Sequence, residues 1–124
     1  MSNLSDYAKN ILSHALCGRS PALPSAVFLA LGNGGSDATG LSGEAVGGGY
    51  ARQRVTFTGT GQQLNAEAVR FTFTAAAGSF SHIGLFDAAT GGNPLTWSAL
   101  AQVASVAGPG TVTINPGALT LTGD

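Results

Sequence analysis

Charge is what this sequence has least of. Five basic residues (Lys9, Arg19, Arg52, Arg54, Arg70) and six acidic ones (Asp6, Asp37, Glu44, Glu67, Asp87, Asp124) are spread over 124 positions. They make up 9% of the chain, against about 25% in a typical soluble protein. A net charge of −1 leaves no basic stripe to displace the counterions of a phosphate backbone, so nucleic acid is not an expected partner. A nearly neutral surface also favours association, and much of this one is expected to be covered by other subunits. Cysteine is almost absent as well. Cys17 stands alone, which rules out an intrachain disulfide and a cysteine-built metal site; a lone thiol is expected as a small buried hydrophobe. The longest apolar run, residues 26–31, is far short of the ~20 residues that a membrane helix needs. The opening MSNLSDYAKN lacks a basic segment followed by an apolar one, so no signal peptide and no membrane are expected, and assembly is expected in a cytoplasm.

What is present is apolar and punctuated. A hydrophobic content of 44% with so little charge is the reverse of the disordered signature. Leu4, Tyr7, Ala8, Ile11, Leu12, Ala15 and Leu16 recur at three- and four-residue spacing, which predicts one amphipathic helix over about residues 4–17. Ser5 is a plausible cap, with Ser2 and Asn3 as alternatives, and Asp6 adds negative charge at the N-terminal end. Gly18 suits the position after the helix, while Pro21 and Pro24 bar its continuation. Beyond this point the pattern has strand periodicity. Residues 26–31 read as a doubly buried strand, and residues 32–49, with eight glycines, as a long mobile loop that orders on assembly. Residues 50–57 (YARQRVTF) alternate, with Tyr50, Arg52, Arg54 and Thr56 on one face. Val69, Phe71 and Phe73 alternate with Arg70, Thr72 and Thr74 as a half-buried strand. Further strands are expected at 80–86, 95–100, 102–106, 111–114 and 118–121, separated by glycine- and proline-containing turns. This spacing predicts a single mostly-β domain: an antiparallel, jelly-roll-like β-sandwich with one short N-terminal α-helix.

Few residues could carry chemistry. An active site needs convergent polar groups, and the histidines are only His14 and His82. His14 falls on the polar side of the helix, with no orienting third group for a pairing with Cys17. His82 shares a strand face with Phe80, Gly84 and Phe86, and Asp87, five residues on, points the other way. Asp87 to Asn93 lacks the alternating acids of a calcium loop; it reads as an Asx-turn with Gly91 and Gly92 at positive φ. No catalytic residue, metal site or cofactor is expected. The densest polar cluster is Tyr50, Arg52 and Arg54, for which two readings stand. One is a protein interface, since arginine and tyrosine are enriched there. The other is a solvated strand face with Glu44 or Glu67 as local partner. Trp97 is expected in the core.

The run YARQRVTF preceded by Glu44 and a glycine run, followed by SHIGLFDAATGGNPL, resembles a family of small tailed-bacteriophage virion proteins. The resemblance extends to Leu4-Ser-Asp-Tyr-Ala at the start, Val27 to Leu31, the Tyr50-Ala51-Arg52 motif, His82 to Phe86 and the Ala89 to Gly92 turn. It implies a non-enzymatic virion structural protein, assembled in the host cytoplasm. Small size and low charge favour a head decoration (cement) protein that clamps the major capsid protein, with a minor tail or tail-fibre component as the alternative. A small sugar-binding module or hydrolase fits less well, because one Trp and two Tyr make a poor stacking platform. The expected partners are other virion proteins and further copies of the chain, as a homo-oligomer and specifically a trimer. Tyr50, Arg52, Arg54, Glu44 and His82 are the expected interface residues.

Overall fold

The computed structural model describes residues 3–20 and 24–121. In chain order the elements are β1 (Asn3–Leu4), α1 (Asp6–Leu16), β2 (Val27–Gly32), β3 (Gly34–Ser36), β4 (Gly40–Ser42), β5 (Gln53–Val55), β6 (Phe57–Thr58), β7 (Gln63–Asn65), β8 (Val69–Phe73), β9 (Gly78–Phe86), β10 (Pro94–Val106), β11 (Gly110–Ile114) and β12 (Thr120–Leu121).

Ser5 starts the helix for a physical reason. Its hydroxyl accepts from the Ala8 amide at 3.1 Å and donates to the Pro94 carbonyl at 2.6 Å, so one fully buried side chain caps α1 and fastens it to the sheet. Leu4 lies in β1 rather than in the helix, because the chain before Ser5 pairs with β10 at Thr96 and Trp97. At the other end Gly18, at φ 75°, donates to the Ala15 carbonyl and Arg19 to that of His14, a Schellman closure. Pro21 lies outside the described residues. The apolar stripe docks only through its first half. Ala8 is buried, Leu12 is exposed, and Leu16 is 88% exposed. Cys17, expected in the interior, is exposed because it follows Leu16 onto this projecting end.

The strands form antiparallel sheets packed face to face, as the turn spacing predicts. A five-stranded sheet runs β1-β10-β9-β2-β5. Opposite it lie the pairs β11-β8 and the short sheet β12-β7-β6. The core between them joins Leu29, Leu31, Ile83 and Leu85 from the large sheet to Val69, Phe71 and Phe73 of β8. In β8 the inward and outward residues alternate without a break, as the Val-Arg-Phe-Thr-Phe pattern dictates. Residues 95–100 and 102–106, expected as two strands, are one strand. No glycine, proline, Asn or Asp occurs between Leu95 and Val106 to turn the chain, so it accommodates the extra residues by shifting register between Ala99 and Ala104. That shift separates Phe80 from His82: Phe80 enters the main core with Ile83 and Leu85, and His82 does not share its face.

Residues 32–49, read from the sequence as one long loop, contain the hairpin β3–β4, paired from Gly34–Ser42 to Ser36–Gly40. It folds over the outer face of the large sheet, where Leu41 joins Ala30 and Phe86 in a second apolar cluster. Gly84 makes this approach possible. A Cβ built there would stand 2.7 Å from Leu41 Cβ and 2.7 Å from the Thr96 carbonyl oxygen. Gly84→Ala therefore must push the hairpin off the sheet, and overpacking of this kind costs roughly 1–3 kcal/mol. Urea unfolding should register that loss, whereas Gly108→Ala, built into open space, should leave the midpoint within experimental scatter.

Candidate functional site

The polar residues singled out in the sequence divide into two groups. Glu44, Tyr50 and Arg52 come together. The chain leaves β4, returns along β2 with the Ala45 amide on the Leu31 carbonyl, and turns through Gly47 to Tyr50. The Tyr50 ring lies parallel to Phe71 at 6.0 Å between centroids. Its hydroxyl accepts from the Leu31 amide at 3.2 Å and donates to Glu44 Oε2 at 2.7 Å. Arg52 meets the same carboxylate as a fork, Nε to Oε2 at 2.7 Å and Nη2 to Oε1 at 2.8 Å. Its Nη1 donates to the carbonyls of Ala88 (2.9 Å) and Gly91 (2.8 Å), and its guanidinium carbon stands 3.8 Å above the centre of the Phe86 ring.

Only 8% of the Arg52 side chain is exposed. The alternation expected over residues 50–57 fails at its start, because the chain is not a strand until Gln53. The Arg52 side chain is thus directed onto the β9–β10 turn, and Arg54, within β5, is exposed. That turn has the expected form: Asp87 accepts from the Asn93 amide at 2.7 Å, and Gly91 and Gly92 have φ of 61° and 73°. Glu44, Tyr50, Arg52 and the β9–β10 turn make one clamp that ties the β4–β5 loop to that turn. They also line an open cleft of about 370 Å³ whose rim carries the exposed Val46.

The electrostatics follow from this pairing. The Arg52 hydrogen bonds hold the Glu44 carboxyl below its ordinary value of 4.5, against a smaller opposing effect of burial. Burial first, and then the hydrogen bond to Glu44, pushes the Tyr50 phenol above its usual range, so it stays a neutral donor. A carboxyl whose folded value is depressed contributes stability that is present above the unfolded value and lost as pH falls through the folded one. Unfolding free energy should therefore fall as the pH drops below about 4.5, and Glu44→Gln should flatten that slope. An unchanged acid slope in Glu44→Gln would show that the clamp does not titrate as described.

His82 stands apart from the clamp. Its Nδ1 is 2.8 Å from Ser81 Oγ, and its ring stacks on Trp97 at 6.4 Å. Trp97 is half-buried on the outer face rather than in the main core, and its Nε1 donates to Asp37 Oδ1 at 3.0 Å. Asp37 Oδ2 takes Lys9 Nζ at 2.8 Å. This link between helix, hairpin and sheet was not visible in the sequence, since the residues are far apart along the chain. Asn65 was missed for the same reason. It is fully buried, donates to the carbonyls of Glu67 and Asn115, and accepts from the Leu119 amide, so it closes the C-terminal turn. Beneath α1 lies an apolar cavity of about 330 Å³, lined by Leu4, Ala8, Ile11, Val27, Phe57 and Leu85 among others.

Among the described residues, no three His, Cys, Asp or Glu side chains stand close enough to hold a metal ion. In the clamp both carboxylate oxygens of Glu44 and four of the guanidinium N–H bonds are engaged within the chain, an arrangement suited to rigidity. No curated protein sequence matches the chain. A protein-family model, described as podophage GP4 fiber I protein gp80, matches residues 3–122. With the match running through every strand of the sandwich, the chain belongs to this fiber protein family and is a phage virion protein.

Proposed function

We propose that the chain is a non-enzymatic structural component of the fibre of a podophage tail, working by packing against other virion proteins and further copies of itself. The match of a fiber family over residues 3–122 carries this reading. It favours the tail-fibre alternative over head decoration, which composition alone had put first; low charge and small size suit any subunit buried in an assembly and do not distinguish head from tail. The clamp also supports a structural role, because groups engaged with one another in this way are poised to hold shape rather than to move protons. In this reading Glu44, Tyr50 and Arg52 keep the loops rigid, while the neighbouring rim at Val46, with Arg54 and His82, meets partner proteins. The chain associates as a homo-oligomer, for which a trimer is the proposed state.

An antibody raised against the chain, applied to intact virions and viewed by negative-stain microscopy, tests the location. Label on the tail appendages is expected. Label spread over the capsid would restore the decoration reading and refute this one.

A further inference from the structure

The charged residues are unevenly placed along the chain. Between Asp87 and Asp124 there is none, so residues 88–123 are neutral throughout. The fold gathers much of this segment along one side. At one side of the sandwich β5 packs against β8; at the other, β10 runs on to β11. There β11 pairs with β8 in unbroken register over Gly110–Ile114, and among the described residues no strand lies on its other edge. In residues 102–106 of β10, Ala104, Ser105 and Val106 pair with β9 while 102 and 103 lie in the register shift, and β1 reaches β10 only at Thr96 and Trp97. That stretch too is without a described strand on its second edge. Val103 is 58% exposed, and Thr111 and Thr113 are exposed. The nearest charge, Arg70, stands one strand in, opposite Thr113.

Free edges invite pairing, and proteins blunt them with charge, proline, brevity or cover. The other edges here follow that rule. β1, β6 and β12 have two residues each, β3, β4 and β5 have three, with Arg54 exposed in β5, and the five-residue β8 carries the exposed Arg70. The edge of β11 has five residues and none of these protections. We propose that this neutral open side is a self-association surface, on which the β11 edge of one copy adds to the edge at residues 102–106 of a second copy. The occupant follows from the charge. A charged partner finds nothing to pair with, whereas two copies meet without like-charge repulsion and without desolvating an ion. The unpaired N–H and C=O groups of two strand edges complement each other. Each copy carries both edges, so the contact is head-to-tail and can close into a ring.

This proposal rests on the subunit-packing reading above and is tested separately from it. Sedimentation velocity of the full chain at micromolar concentration should show an oligomer. Val103→Lys and Thr113→Lys should each weaken association about tenfold or more, with unchanged circular dichroism, and Thr58→Lys on the β6 edge should not. A monomeric wild type, or association indifferent to both edge lysines, overturns the proposal. Should the lysine variants misfold, hydrogen exchange of the wild type decides: amides in 102–106 and 110–114 must slow between dilute and concentrated samples, and equal exchange overturns it. A chain found on the tail yet monomeric in solution would refute this surface and leave the fibre reading standing.

Discussion

Arg52→Ala should lower the unfolding free energy of the isolated chain by about 2–4 kcal/mol, between the costs of breaking an exposed ion pair and a fully buried one, because Arg52 is buried and the Glu44 carboxylate is part-exposed. The substitution deletes a fork on Glu44, two hydrogen bonds to the carbonyls of Ala88 and Gly91, and the guanidinium over Phe86. It leaves the Glu44 carboxylate with only the Tyr50 hydroxyl among these partners. Arg54→Ala removes an equal charge from an exposed position in the same segment, and a loss within about 0.5 kcal/mol is expected. Arg52→Lys keeps the charge but cannot reproduce the fork, so it should fall between them. Urea denaturation of the three variants measures all of this in the absence of any partner. Equal, small losses for Arg52→Ala and Arg54→Ala would mean that the clamp contributes nothing to the fold.

The second large effect is expected at Phe71. Its side chain is 1% exposed and lies in the core with Leu29, Leu31, Ile83 and Leu85. It also supports the Tyr50 ring, nearly parallel to it at 6°. Phe71→Ala should cost about 3–5 kcal/mol for the cavity, with roughly 0.5–1.5 kcal/mol attributable to the lost aromatic pair. Domains of this size have only about 5–15 kcal/mol in total, so the variant should be partly unfolded on mild warming. Thr72→Ala, exposed on the opposite face of the same strand, should be near neutral. A loss below about 1 kcal/mol at Phe71 would place the core elsewhere.

The sequence was most informative where one local rule decides the outcome. Ser5 and Gly18 mark the helix ends because capping is a matter of a few adjacent backbone groups. The alternation of Val69, Phe71 and Phe73 is legible because a strand buried on one face has a period of two. It was least informative where glycine stands in for packing. Residues 32–49 look featureless, yet Gly35 and Gly84 are contact points: a Cβ on Gly35 would stand 2.6 Å from the Trp97 ring, as one on Gly84 would meet Leu41. A missing side chain leaves no pattern to read, so the hairpin over the outer face was invisible. Arg52 was misplaced for a related reason. Parity from Tyr50 to Arg54 assumes an extended strand, and the strand begins only at Gln53. Glu44 had been named as a possible local partner; the carbonyls of Ala88 and Gly91 depend on long-range topology.

The central claim, that this sandwich is a fibre subunit of a podophage tail, is tested most directly by a cryo-electron microscopy reconstruction of the intact virion. The account predicts that the five-stranded sheet, with β3–β4 folded over its outer face and α1 at its edge, fits density in a fibre attached to the tail. Density for the same fold repeated over the capsid lattice, and absent from the tail, would contradict it.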